Sequence, residues 1–457
     1  MRDLALLAIL GGLVPLILMR PWIGILAWFW VGLMVPHAHT WGFMRSFPIA
    51  VVIGLVTLIA VVLTKDRRPI PMSREMVILI VFALYTALTS AFAVLSGLAW
   101  DFWMQFMKIL LITVVAPMLI FGQTRVLWLL LVITCSLAFY GLKGGVFAIA
   151  TGGAHMVLGP RGSFLSGNTY IGLAMVMVLP LILVTARLFR ESWVKWKMPL
   201  VNAYSTAIGY GFYGTFWLTA LAILATYSRG AFLGILAVAP FIFIRMRHKW
   251  ALVLSALVLV GVVGVTAPER LVDRWATIQT YEEDGSAMQR IQAWGVNWNM
   301  AMERPLVGMG FRNFYLSYDE WIQYANFEGT WNFTLSPHSI YFGVLGAHGF
   351  VGLAVFLLML FFTMLTLNRI RRVARSRPGQ IWLSEYAWAL QVGLFGYMVA
   401  GAFLDVAYFN LMYIFVALAV ILRRELEESS LPERSFAENQ EPVGPLGPRF
   451  PDFIATK

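Results

Sequence analysis

Residues 339–367 read SIYFGVLGAHGFVGLAVFLLMLFFTMLTL, without an aspartate, glutamate, lysine or arginine, and the ten that follow, NRIRRVARSR, carry five arginines. Such a run is long enough to cross a hydrocarbon core of roughly 30 Å at about 1.5 Å per helical residue, and the arginines mark the end retained in the cytoplasm. Similar apolar segments lie near 4–35, 48–64, 75–95, 105–121, 126–149, 169–186, 205–226, 230–244, 250–267, 385–403 and 406–422. Of the 457 residues, 60% are hydrophobic and 12% charged, where a soluble domain carries roughly 25% charged. The chain therefore reads as an all-α polytopic membrane protein with about 12 transmembrane helices, and an ordinary soluble enzyme is excluded.

The formal net charge is +11, but the basic residues fall in short runs between apolar segments. They are topology signals, and no nucleic-acid partner is implied. The runs Lys65 to Arg68, Arg187 to Lys197, Arg245 to Lys249 and Asn368 to Arg377 fall on one side by alternation, together with Arg423-Arg424. The N-terminal segment looks like a signal peptide but lacks a cleavage pattern, so it is expected to be retained. If residues 4–35 make one crossing broken at Pro15 and Arg20-Pro21, both termini are cytoplasmic; two full crossings would put the N-terminus outside. One broken crossing is favoured. The expected organisation is a transmembrane bundle over 1–267, an outer amphipathic helical loop over 268–337, further transmembrane helices over 338–424, and a polar, disordered cytoplasmic tail over 425–457. Within the outer loop, Ser286 is expected to cap a helix running through Met288, Ile291, Trp294, Trp298 and Met302 and ended by Pro305.

Outer segments should be poor in cations, and on this topology they hold no lysine. They do hold Arg45, Arg161, Arg229, Arg270, Arg274, Arg290, Arg304 and Arg312. A guanidinium grips phosphate oxygens with a planar fork that lysine lacks, so an anionic, phosphorylated, lipid-linked substrate is the natural partner. Arg270, Arg274 and Arg304 are better explained as surface pairs with nearby acids such as Glu269, Asp273 and Glu303. Arg161, in Gly159-Pro160-Arg161-Gly162-Ser163, and Arg229, in Tyr227-Ser228-Arg229-Gly230-Ala231, have no local carboxylate. Arg290 stands in the first turns of the Ser286 helix, where anions are favoured.

His338, where the loop re-enters the membrane, has an ordinary pKa near 6.5 suited to taking a proton from a hydroxyl. It reads equally well as a cap on the following helix. His348, ten residues deeper on another helical face, reads as packing. The lone Cys135 offers neither disulfide nor metal site, no metal-ligand spacing occurs, and Gly308-Met309-Gly310 lacks the strand and lysine of a nucleotide loop. No metal or other cofactor is expected.

Taken together, Ser228-Arg229-Gly230-Ala231 opening a span, Arg290 followed by Trp294, the stretch Pro305 to Gly310, and Pro337-His338-Ser339 with Tyr341 and Gly349 resemble the O-antigen ligase and polymerase superfamily. The first 200 residues are also similar to exosortase-associated O-glycosylation ligases. Ser339 stands where many members have asparagine, and Ala347-His348 replaces a commonly acidic position. The resemblance implies a glycosyltransferase of GT-C-like architecture in the bacterial inner membrane, with its active site facing the periplasm. It implies metal-independent, inverting transfer of a glycan from undecaprenyl pyrophosphate to a lipid A-core sugar hydroxyl. His338 would then be the catalytic base, and Arg161, Arg229, Arg290 and Arg312 would hold the pyrophosphate. An O-antigen polymerase or a protein O-glycosylation ligase would use the same donor, and the acceptor distinguishes them. A lipid-glycan transporter ranks lower, because few polar groups besides Lys108 and Lys143 lie near mid-membrane.

Overall fold

The structure is a computed structural model that describes residues 1–246, 285–326 and 333–429. The expected span at 250–267, Arg270 and Arg274, and the tail beyond residue 429 lie outside the described residues. Fifteen α-helices are described: α1 (Arg2–Met19), α2 (Trp22–Met34), α3 (Ile49–Leu63), α4 (Arg74–Ala91), α5 (Ser96–Leu119), α6 (Gln123–Ala150), α7 (Gly167–Arg190), α8 (Pro199–Ala203), α9 (Ser205–Leu224), α10 (Arg229–Arg245), α11 (Gly285–Glu303), α12 (Tyr318–Ile322), α13 (Ile340–Arg375), α14 (Ile381–Gly401) and α15 (Asn410–Glu428). Among the described residues there is no β-strand. Seven of the helices, α1, α4, α5, α6, α7, α9 and α13, are long and apolar enough to cross a membrane.

Helix α7 is the axis of the bundle. It is apolar all round, every residue from Ile171 to Ala186 is buried, and it packs against α6, α9, α10 and α14. A helix without a polar face can be stable only when enclosed in this way. By contrast α1 and α3 leave Leu4, Leu7, Ile9, Leu55, Ile59 and Val62 exposed, as lipid-facing helices do.

The basic connections meet at one end of the bundle. Arg187 and Arg245 both pair with the buried Glu385 at the start of α14. Arg125 pairs with Asp66 at 2.6 Å, and Arg68 pairs with Glu428. Arg424 donates to the Pro117 carbonyl at 2.6 Å, and Arg377 to that of Leu426 at 3.0 Å.

Residues 4–35 do not make one broken crossing. Arg20-Pro21 is the tip of a hairpin, and α2 returns alongside α1. Asp3 accepts from the amides of Gly42 and Met44 at 3.1 and 3.2 Å, while Arg2 donates to the His39 carbonyl and lies 4.5 Å over the Trp41 ring. Trp22, at the other end, lies beneath Arg125 of the basic end. The first residues thus sit at the same end of the bundle as residues 37–47, opposite Arg125, so α1 and the shorter apolar α2 form a hairpin and not one broken helix. The sequence obscured this because Pro15 falls inside α1 without ending it.

A second difference lies in the segment 339–367. Gly349 (φ 66°, ψ −170°) breaks α13 into a short first piece and a long second one. That backbone region is essentially glycine-only. Into the break fits the stretch Pro305 to Gly310: Met309 donates to the Gly346 carbonyl at 2.9 Å, Gly310 to that of Ala347 at 2.8 Å, and Phe350 to that of Pro305 at 2.8 Å. Backbone groups freed by the break are thereby satisfied, as burial demands. The helix expected from Ser286 begins at Gly285, so Ser286 lies in its first turn rather than at its cap. One face of α11 (Ala293, Val296, Met300) forms a small core with Met309, Leu316, Trp321 and Leu335.

Two outcomes are expected. Gly349→Ala should destabilise the protein by about 1–3 kcal/mol, read as a lower melting temperature in detergent, because its Cβ would also collide with the Pro305 carbonyl. In a Cys135→Ser background, cysteines placed at Arg2 and at Trp41 should react with a membrane-impermeant thiol reagent from the same side; labelling from opposite sides would refute the hairpin.

Candidate active site

At the end opposite the basic connections, the turn Pro337-His338-Ser339 is clamped from three directions. Trp294 of α11 donates its indole N–H to the Pro337 carbonyl at 3.0 Å and stacks on Phe342, with ring centroids 5.3 Å apart and planes at 8°. Ser336 donates its hydroxyl to Asp405 Oδ2 at 2.9 Å, in the turn between α14 and α15. Tyr341 donates to the Met398 carbonyl of α14 at 3.0 Å. His338 itself has φ 44°, a left-handed conformation uncommon for a residue with a side chain and one that such clamping must hold.

The electrostatics tie His338 to its neighbours. Loss of water contact pushes its pKa below the ordinary 6.5, the Asp405 carboxylate pushes it back up, and the Arg290 guanidinium lowers it further. Asp405 is itself raised above the usual carboxylate range by loss of solvent, against the opposing pull of the Ser336 hydrogen bond, His338 and Arg312. His338 and Asp405 influence each other through space, and no direct hydrogen bond joins them.

Beside this pair opens a cavity of about 480 Å³, lined among others by Arg312, Asp405, Pro337, Ser163 and Phe164. Arg312 sits at a left-handed position (φ 63°) with its guanidinium 4.5 Å over the Phe102 ring of α5. Among the described residues its N–H fork makes no hydrogen bond, so the ring supports the cation without using its donors. Its neighbour Asn313 is fixed by donating to Asn297 Oδ1 of α11 at 3.0 Å. Arg161 is exposed at the tip of a closed loop in which the Gly159 amide donates to the Gly167 carbonyl at 2.9 Å and the Ser163 hydroxyl to that of Pro160 at 2.7 Å. Arg161 has no polar partner among the described residues. Arg229 is the exposed first residue of α10. The next residue, Gly230, packs so closely on Leu404 that a Cβ would come within 2.6 Å of its side chain, which places Arg229 beside the Leu404-Asp405 turn. Arg290 lies half-buried on α11, one helical turn before Trp294.

Arg312, Asp405 and the Arg161 loop therefore border one cavity, with His338 and Arg290 close by. Asp405 had not stood out in the sequence, although a lone carboxylate in a short turn between apolar spans was the available signal. Among the described residues Arg304 makes no acidic surface pair of the kind expected of it; it donates to the Phe92 carbonyl at 2.7 Å and so caps the end of α4. His348 is buried and packed, as its helical position suggested. Among the described residues, no three His, Cys, Asp or Glu side chains gather as metal ligands.

Fold and site together define a multi-span helical membrane protein with an arginine-bordered cavity at one mouth. Residues 214–357, which carry α10, α11, the Pro305 to Gly310 stretch and His338, match the family model O-Antigen ligase. Residues 1–189 match a family of unknown function (DUF5935). A comparison with curated proteins finds no match.

The Arg161 loop is testable by its tightest point. A Cβ on Gly159 would overlap the Leu165 carbonyl, so Gly159→Ala should open the loop and lower activity at least tenfold. Helix content and melting temperature should change little, since the loop lies outside the bundle.

Proposed function

We propose that this protein is an O-antigen ligase that moves a glycan from undecaprenyl pyrophosphate to a lipid A-core sugar hydroxyl, at the periplasmic face of the bacterial inner membrane. The observation that carries this reading is that Asp405 and Arg312 line one cavity with His338 beside Asp405, in a chain whose residues 214–357 match the O-Antigen ligase model. The acceptor oxygen attacks the anomeric carbon as the bond to the pyrophosphate oxygen breaks. His338 takes the hydroxyl proton, and undecaprenyl pyrophosphate leaves with the bonding electrons. Direct displacement inverts the anomeric centre.

Each group has a physical task. A base works best neutral at the operating pH, and the depressed pKa of His338 keeps it so at neutral pH. The Asp405 carboxylate then stabilises the imidazolium as it forms. Arg312, Arg161, Arg229 and Arg290 supply fixed positive charge where negative charge grows on the leaving pyrophosphate. Such an array fills the role without a divalent ion. Lipid-facing grooves between the spans take the prenyl chain.

In a reconstitution with purified donor and acceptor, His338→Ala should lower kcat by about 10²–10⁴. The rate should fall as pH drops through a midpoint below 6.5, the value from which His338 is lowered. Because Asp405 raises that pKa, Asp405→Asn should move the acidic limb to still lower pH and reduce kcat. A limb that stays in place or moves up would refute the pairing.

A further inference from the structure

The break in α13 buries a histidine that the reaction above does not use. His348, the residue before Gly349, is fully buried. Thr89 of α4 donates its hydroxyl hydrogen to the Thr86 carbonyl at 3.1 Å, so its oxygen is free to accept the His348 Nδ1–H at 2.7 Å. A neutral imidazole carries one ring hydrogen, which leaves Nε2 as a bare acceptor. Nε2 is buried without a hydrogen-bond partner among the described residues, and the buried hydroxyl of Tyr408 is likewise unpartnered. The two rings lie 5.9 Å apart between centroids, and Phe311 packs 4.5 Å from the histidine and 4.8 Å from the tyrosine.

Buried polar atoms without partners are rare and each calls for a reason. Here there are two, one a pure acceptor and the other able to donate, in adjacent rings. Tyr408, Phe311 and Ala347 all line the cavity described above. Its volume of about 480 Å³ lies within the roughly 300–1,000 Å³ typical of small-molecule sites. Phe102, Phe164 and Tyr170 add further aromatic walls. Aromatic faces are electron-rich and suit the weakly positive C–H faces of a sugar ring, while the ring's edge needs hydroxyl partners.

We propose that His348, behind the cavity's aromatic wall, and Tyr408, in that wall, form a hydroxyl-binding subsite at its inner end and seat one sugar ring of a substrate. The sugar hydroxyl donates to His348 Nε2 and accepts from Tyr408. No bond is made or broken there, so these are specificity-determining residues. The assignment of a sugar as guest rests on the glycosyl-transfer reading.

The test uses the full chain in detergent with two probes titrated separately by saturation-transfer NMR: a soluble core oligosaccharide freed of lipid A, and a short-prenyl pyrophosphate-linked oligosaccharide. Tyr408→Phe deletes only the hydroxyl, and His348→Asn keeps a donor for Thr89 while deleting the Nε2 acceptor. At least one probe should bind the unaltered protein and bind both variants about tenfold more weakly, the effect of losing one hydrogen bond. Whichever probe weakens identifies whose sugar occupies the subsite. Equal affinity in protein and variants, or no binding of either probe, overturns the proposal. Since binding is read without turnover, a protein that binds sugar through this pair but transfers nothing would refute the ligase reading and leave the subsite standing.

Discussion

The interlock between the Pro305 to Gly310 stretch and the broken start of α13 sets the position of almost everything at the far mouth of the bundle. Gly308 (φ 62°) and Gly310 (φ 90°) take backbone angles closed to most residues, and a Cβ on Gly308 would collide with the Ala347 carbonyl carbon. Three backbone hydrogen bonds then lock the stretch to Gly346, Ala347 and Phe350. Because α11 precedes this stretch and Arg312 follows it by two residues, the lock fixes Arg290 and Arg312 together. The same break frees the first turns of α13 to carry His338 at their head. An extended segment at membrane depth is tolerable only where protein satisfies its backbone, and here the broken helix does so.

Charge is distributed by a simple division. At the basic end, arginines are consumed by Glu385, Asp66 and Glu428 or by carbonyls at helix ends. At the opposite mouth Arg161 has no such partner among the described residues, and Arg312 rests on an aromatic ring. A guanidinium supported by an apolar face pays little for desolvation and keeps its hydrogen-bond donors for a ligand. Asp405 is the counterweight: one carboxylate, half-buried, facing His338 and Arg312.

Much of this was legible in the residues. Apolar length and arginine runs located the long apolar helices, seven of which among the described residues can cross a membrane, and the lysine-free outer segments singled out Arg161, Arg229, Arg290 and Arg312 as candidates. What could not be read were relations between distant segments. The glycines at 308 and 310 were recognisable as unlike a nucleotide loop, but their partner is a kink at Gly349, some forty residues away, and periodicity treats Gly349 as an ordinary helical glycine. The α1–α2 hairpin was hidden because a proline that bends a helix and a proline that ends one look alike in sequence. Asp405 escaped notice because its importance comes from the Ser336 hydrogen bond and the proximity of His338, neither of which leaves a local pattern.

If the arginine-bordered cavity holds the pyrophosphate of a lipid-linked donor, a structure of the protein with a bound prenyl pyrophosphate will show it there. Phosphate oxygens should then lie in the cavity within hydrogen-bond distance of the Arg312 guanidinium, with the Arg161 loop beside them. Pyrophosphate bound instead at the basic end, among Arg187, Arg245 and Arg371, would contradict that placement.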